Sequence, residues 1–361
     1  MNNNLINIKE YNKNKVAILH NNSLYRKFFL HSICKHIFPK VKINKKPKNF
    51  LSENFVNISW GGNIKHKYES NNIETLYIDD GFICSNGLTT HLHSPLSLCV
   101  DTKGLYCDTT KPSDLENYLN NYTLSTEDIK RSKNLIKLIK STGITKYNIN
   151  YKKDIEINLP KNKKIILIIG QVEDDKSIIF GCNKVKTNLD LIRSVRKYDH
   201  NAFIIYKPHP DIIYATRKGK VQKEIALRYV DHIEMQASVL NCMKISNEIH
   251  TMTSLAGMEA LIHNKKVITW GNPFYGGWGL TQDMESYDRR LRTLTLEELV
   301  FIVYELYPIY WDFKNNTFST AESTIKELDN NKNNGVIYSN SRGKIINLLH
   351  RINHIRKIKV N

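Results

Sequence analysis

Blocks of apolar residues alternate with amphipathic stretches along most of this 361-residue chain. Short apolar runs predict strands at VAILH (16–20), NFVNISWG (54–61), TLYIDDGFI (75–83), KKIILIIG (163–170), AFIIYKPHP (202–210), KISNEIHTM (244–252) and KKVITWG (265–271). Between them, TNLDLIRSVRKY (187–198), ASVLNCMKI (237–245) and TSLAGMEALIHN (253–264) carry helical spacing. Strands that are apolar at successive positions, separated by helices, predict parallel sheet covered on both faces. The fold class is therefore α/β, with two doubly wound halves.

A charged helix over 124–143 ends at Gly143, and a polar stretch leads from it into the strongest strand, which places a seam near 145–162. The predicted domains are 1–155, 156–335 and a basic amphipathic helix over 336–361. Two such domains facing across a cleft would present the carboxyl ends of their strands to a ligand. In the tail, Ile345, Leu348, Leu349, Ile352 and Ile355 form one stripe, with Arg351, Arg356, Lys357 and Lys359 largely off it. That helix either docks on the protein or lies on anionic lipid.

Composition supports two cores, since 41% of residues are hydrophobic and 24% charged. The net charge of +18 favours phosphate-bearing partners or an anionic membrane surface. Arginine is not clustered as groove reading needs, and neither zinc-finger spacing nor an RNP-like strand occurs, so nucleic acid is not among the expected partners. The six cysteines show no CxxC pair and read as reduced thiols. With no apolar leader and no long apolar run, the chain reads as cytoplasmic.

Candidate chemistry gathers at strand ends. GQVEDDKSI (170–178) places Gln171, Glu173, Asp174 and Asp175 directly after a buried strand, as either an acidic cap or a reaction centre. In KPHPD (207–211) two prolines fix the backbone around His209, and Lys207 is suited to phosphate. HTMTSLAGMEAL (250–261) offers Thr251, Thr253 and Ser254 at a helix start, where free N–H groups attract phosphate, with Glu259 one turn on for a ribose. GNPFYGGWGLTQD (271–283) supplies Tyr275 and Trp278 as flat walls for a sugar or base, or as a hydrophobic plug. In the first half, YIDDGFICSNGL (77–88) delivers Asp79 and Asp80 in a similar way.

Taken together, DDGF (79–82), SPLSLCVDTKGLYCDTTKPSDLE (94–116), GQVEDDKSI, YKPHPD (206–211), TSLAGMEAL (253–261) and GNPFYGGWGLTQD resemble the KpsC/LipA-type capsule polysaccharide biosynthesis proteins, retaining β-Kdo glycosyltransferases. The resemblance runs from about Trp60 to Asp283 and implies a GT-B-like pair of Rossmann-like domains with CMP-β-Kdo as donor. It further implies double displacement, with Asp175 as nucleophile and Asp174 the second candidate. His209 and Lys207 would then hold the CMP phosphate, Thr253 and Ser254 would bind phosphate at the helix start, and Glu259 would take the ribose. Asp80 would serve as base for the hydroxyl of a glycan or glycolipid acceptor. A CMP leaving group needs no metal, and no cofactor is expected besides the donor.

One departure concerns the first half, where the family pattern reads Glu-Asp-Gly-Phe, an aliphatic residue, then Arg-Ser. Asp79 and Cys84 stand here at the Glu and Arg positions, which removes a bidentate partner for a sugar carboxylate. Capsule assembly by a peripheral enzyme on the inner membrane is the function expected. The competing expectations are an inverting GT-B transferase using another nucleotide sugar and a non-catalytic assembly scaffold.

Overall fold

The computed structural model of the protein describes residues 8–10, 12–19, 24–43, 55–62, 74–87, 94–148, 155–214 and 217–333. Strands β1 (Val16–Leu19), β2 (Lys40–Ile43), β3 (Phe55–Trp60), β4 (Glu74–Asp80) and β5 (Ser97–Asp101) come first, with helix α1 (Leu24–Cys34) between β1 and β2. Helices α2 (Asp114–Asn121) and α3 (Thr126–Thr142) follow. Next come β6 (Ile165–Ile169), α4 (Lys176–Gly181), α5 (Asn188–Tyr198), β7 (Phe203–Lys207), α6 (Pro210–Tyr214), α7 (Lys223–Ala226) and β8 (His232–Ile233). The chain continues through α8 (Val239–Ile245), β9 (Glu248–Thr251), α9 (Leu255–Ile262), β10 (Lys266–Thr269) and β11 (Gln282–Asp283). It ends with α10 (Leu296–Phe301), β12 (Pro308–Asp312), β13 (Thr317–Ser319) and α11 (Ala321–Asn333).

The chain divides into two compact units. One is built on residues within Met1–Leu105, Ile144–Ile149 and Val303–Asn361, the other on Tyr106–Gly143 and Asn150–Ile302. These bounds differ from the expected division into 1–155 and 156–335. Strand β12 pairs antiparallel with β5, placing Pro308 opposite Cys99, so the segment after Ile302 belongs with the first sheet. Helix α3 packs on α10 and α9, which ties 106–143 to the second unit. A polar stretch marks a crossing between units, but it cannot reveal such long-range pairings. The tail helix expected over 336–361 lies outside the described residues.

In the first unit the strand order is β13-β12-β5-β4-β3-β1-β2. Strands β2, β1, β3 and β4 run parallel, while β5, β12 and β13 each run antiparallel to the preceding neighbour. The parallel sheet expected for this half therefore extends over four strands, and the remainder is a mixed extension. Its core joins Leu19, Ile58, Leu76 and Trp311 to Leu30 and Ile33 of α1.

The second unit has a wholly parallel sheet in the order β11-β10-β9-β6-β7-β8. Counted by appearance this is the doubly wound order 3-2-1-4-5-6. All five residues of β6, Ile165–Ile169, are buried. Successive side chains point to opposite faces, so both faces of the strand are covered. Leu191, Ile192 and Val195 of α5 share one helix face and pack in the same cluster as Ile166, Ile168 and Ile204, all at 0% exposure. Each such side chain contributes roughly 1.5–3 kcal/mol on burial. The order reverses between β6 and β9, and a sheet of this kind opens a crevice beyond the carboxyl ends of those two strands.

Candidate active site

The loops at that crevice are the β6–α4 loop (Gly170–Asp175) and the β9–α9 loop (Met252–Ser254). Gln171 joins them. Its Oε1 accepts from the Thr253 backbone N–H (2.8 Å) and the Thr251 hydroxyl (3.3 Å), while its Nε2 donates to the Thr253 hydroxyl (3.0 Å). Gln171 does orient hydroxyls, as its amide suggests, but they are the protein's own.

A second clasp comes from Asn188, the first residue of α5 and fully enclosed. Its Oδ1 accepts from the Gln171 N–H (2.9 Å), and its Nδ2 donates to the carbonyls of Gln171 (2.8 Å) and Gly219 (2.8 Å). The Asn188 N–H also donates to Glu173 Oε1 (2.7 Å). Sequence reasoning missed this residue, because an Asn after the Thr187 cap reads as an ordinary helix start. It missed Arg217 too, although RKGK (217–220), a basic cluster around a glycine, was a usable signal.

The three acids have separate tasks. Glu173 accepts from Asn188, whereas Asp174 pairs with Arg217 at 2.9 Å on the surface. The guanidinium holds the Asp174 carboxyl below its usual range. Asp175 caps α4, its Oδ1 accepting from the Ser177 N–H (2.9 Å) and hydroxyl (2.8 Å). The residue is exposed, and its other carboxylate oxygen accepts no hydrogen bond among the described residues. The cap thus pins one oxygen and leaves the second open.

At the end of β7, Lys207 is 4% exposed, and burial pushes its pKa down. Its Nζ donates to the Glu234 carbonyl at 3.4 Å, so in this conformation its charge acts from within the protein rather than from an open position. The Glu234 carboxylate is in turn held by the N–H groups of Gln236 and Ala237. His209 is half-buried and its Nδ1 accepts from the Asp211 N–H at 3.1 Å. A neutral ring so bonded carries its proton on Nε2, the form that can donate to an anionic oxygen.

Ser254 caps α9 through the Ala256 N–H (3.2 Å), and Thr253 and Glu259 are each 7% exposed. Glu259 sits on the buried side of α9 and is not displayed toward solvent. Tyr275 and Trp278 correct the expectation of a sugar or base wall. Both are fully buried, Tyr275 donating to the Ser254 carbonyl and Trp278 Nε1 to the Phe274 carbonyl. Both rings pack within the second unit. A Cβ on Gly257 would lie 2.1 Å from the Tyr275 hydroxyl, so only glycine lets this ring seat against α9. Arg290 holds the loop closed, bonding the Pro273 and Gly276 carbonyls and lying 4.0 Å from the Tyr287 ring centroid.

In the first unit, Asp80 ends β4 at 8% exposure, its N–H donating to Asp79 (2.8 Å). Cys84 is fully enclosed, and burial, then the Asp80 charge, push its thiol up. The positive charge acting against that rise belongs to Lys146. Its strap is laced to the loop by the Cys84 and Ser85 N–H groups, which donate to the Lys146 carbonyl at 3.1 and 3.2 Å. The Cys84 thiol thus feels the charge of a lysine on a separate segment. Among the described residues no His, Cys, Asp and Glu cluster could hold a metal, and no helix is long and apolar enough to cross a membrane.

The second unit is thus a parallel, doubly wound α/β sheet, and proteins of this build usually take ligands beyond the carboxyl ends of the strands at the switch point, here those of β6 and β9. The chain belongs to the capsule polysaccharide biosynthesis protein family, whose description matches residues 61–310. It is 41% identical over 287 residues to the capsule polysaccharide modification protein LipA of Neisseria meningitidis serogroup A, covering 78% of this chain and 40% of LipA. It is 36% identical over 258 residues to the lipopolysaccharide-processing protein LpsZ of Rhizobium meliloti, covering 71% of this chain and 59% of LpsZ. The chain therefore spans about two fifths of LipA and three fifths of LpsZ. Among solved structures, Thermosulfurimonas dismutans KpsC as β-Kdo 2,7 transferase matches with a TM-score of 0.73 and 33% identity, over 88% of this chain and 100% of that one. The β-Kdo 2,4 transferase of the same organism's KpsC gives 0.75 and 28%, over 89% and 99%.

Proposed function

We propose that this chain is a retaining glycosyltransferase, moving Kdo from CMP-β-Kdo to a glycan or glycolipid acceptor in capsule or surface polysaccharide synthesis. The observation that carries the reading is Asp175, pinned by one oxygen and open at the other, in a chain similar over nearly its whole length to β-Kdo transferases. The open Asp175 oxygen attacks the anomeric carbon of the donor, a bond to that carbon forms, and the bond to the CMP phosphate breaks with its electron pair leaving on phosphate. His209, its proton on Nε2, donates to that phosphate, with the hydroxyls of Thr253 and Ser254 and the charge of Lys207 assisting. Glu259 is the ribose candidate.

An acceptor hydroxyl then attacks the same carbon and expels Asp175, its proton passing to Asp80. Two inversions give retention. In this reading the units work in the GT-B manner, the first serving the acceptor, and the protein acts at the cytoplasmic face of the inner membrane.

The experiment is incubation with CMP-Kdo, regenerated in situ, and a Kdo-terminated acceptor. A β-linked product that Asp175→Ala fails to form supports the reading. Turnover only with other nucleotide sugars and inverted products would support the alternative in which Asp175 is merely a cap. No product together with no CMP binding would leave the scaffold role.

A further inference from the structure

The loop over 217–220 is anchored without help from its charges. The Glu173 N–H donates to the Lys218 carbonyl (3.1 Å), Asn188 Nδ2 to the Gly219 carbonyl (2.8 Å), and the Arg217 N–H to the Asp211 carbonyl (3.4 Å). Gly219 lies at φ +119°, and a Cβ there would come within 2.6 Å of Asn188 Nδ2. This backbone lacing presses the loop against Gly170–Asp175 and so fixes where Arg217 emerges.

The guanidinium is 39% exposed and meets Asp174 through one nitrogen, Nη2, at 2.9 Å. Its Nε and Nη1 donate to nothing among the described residues. An exposed ion pair of this kind adds little to stability, and the loop does not depend on it. What remains is a cation, presented by its neighbour Asp174, with a fork of donors still available. Asp174 and Asp175 are consecutive, their Cα atoms about 3.8 Å apart, so the cation is tethered one residue from the carboxylate assigned to attack the sugar.

We propose that Arg217 is the residue that reads the carboxylate of an acidic donor sugar and so selects a ulosonic acid over a neutral hexose. This deepens the transferase reading and rests on it. In a 2-ulosonic acid the carboxylate is attached directly to the anomeric carbon, so whatever holds it must adjoin the nucleophile. Arg217, paired with Asp174, is tethered one residue from Asp175 and is the cation this requirement singles out. A guanidinium binds a carboxylate through two parallel hydrogen bonds, which also fixes the orientation of the anomeric carbon. Its charge offsets the repulsion that Asp174 and Asp175 would otherwise exert on an anionic sugar, and Lys218 adds to the field acting on Asp174.

The test compares wild type, Arg217→Ala and Arg217→Lys for covalent sugar adduct formed from CMP-Kdo, and for binding of CMP, which lacks the carboxylate. Arg217→Ala should slow adduct formation by about 10- to 150-fold, the range for charge-assisted hydrogen bonds, with CMP affinity within twofold of wild type. Arg217→Lys, which keeps the charge without the fork, should recover part of the rate. Adduct formed by Arg217→Ala at the wild-type rate overturns the assignment and leaves the transferase reading intact. An equal loss of CMP affinity also overturns it, since Arg217 would then be reading the nucleotide. Failure of the wild type itself to form adduct or product overturns both. The lysine variant keeps a cation at the surface, so a folding defect confined to the alanine variant does not block the comparison.

Discussion

Replacement of Asn188 by alanine should loosen the candidate site from beneath. The side chain makes three hydrogen bonds at 2.8–2.9 Å, all to backbone, in a fully enclosed position. Alanine strands the Gln171 N–H and the carbonyls of Gln171 and Gly219. A buried polar group left unsatisfied costs about 1–3 kcal/mol. Water entering the vacated volume can serve some of these groups, so the lower end applies to each, giving a total near 3 kcal/mol.

With a urea dependence of about 2 kcal/mol per molar, the second unit's unfolding midpoint should fall by about 1.5 M. Hydrogen exchange locates the effect: amides of 170–175 and 217–222 should lose protection in native buffer, while those of β7 keep theirs. Asn188→Asp keeps the acceptor for the Gln171 N–H but turns a buried charge on two carbonyls, and should be at least as damaging. A midpoint within 0.3 M of wild type (on the order of half a kcal/mol) and unchanged exchange in both loops would refute the clasp.

Two further perturbations probe the same frame. Gly257→Ala should cost about 1–3 kcal/mol by overpacking, and adding Tyr275→Phe should recover part of that loss, because the hydroxyl is the atom nearest the new Cβ; additive losses in urea unfolding would refute the close approach. Acid should weaken the second unit. Glu248 is lowered to about 2, first by the hydrogen bond from His250 and also by Lys266 and Lys164, while burial lowers His250, which stays neutral and accepts from Trp270 at Nδ1. Lowered pKa values in the folded state stabilise it above the unfolded values and lose that contribution as pH falls. The His250 term should fade below about pH 6.5 and the Glu248 term below about 4.5. A melting temperature that holds level from pH 7 to 3 in wild type, or that still falls as steeply in Glu248→Gln, would count against this.

Much of the second unit was legible because local rules and packing agree there. The run IILII is apolar at every position, which a strand covered on both faces requires, and Thr187, Ser238 and Ser254 each cap the helix whose start they mark. Gly143 ends α3 in the left-handed conformation, as its place after a charged helix suggests. Strands β5 and β12 escaped notice in part because they pair across some two hundred positions, as Pro308 does with Cys99, and β13 joins the sheet only through β12.

Candidate site residues were chosen by their chemistry at strand ends, and the parallel strands β6, β7 and β9 do finish at one edge of the sheet. What chemistry alone could not supply was orientation. Tyr275 and Trp278 have the surface for stacking on a ligand but spend it inside the protein, and Lys207 is turned onto a carbonyl. Asn188 and Arg217 act through partners distant in sequence, so nothing local announces Asn188, and RKGK marks Arg217 as one of a basic cluster without naming its partner.

The most direct test of the central claim is the intact mass of the protein after brief exposure to CMP-Kdo, followed by peptide mapping of the adduct. The account predicts one added Kdo, attached at Asp175, present in Asp174→Asn and absent in Asp175→Asn. An adduct of equal yield in Asp175→Asn, or one mapped to another carboxylate, would contradict it.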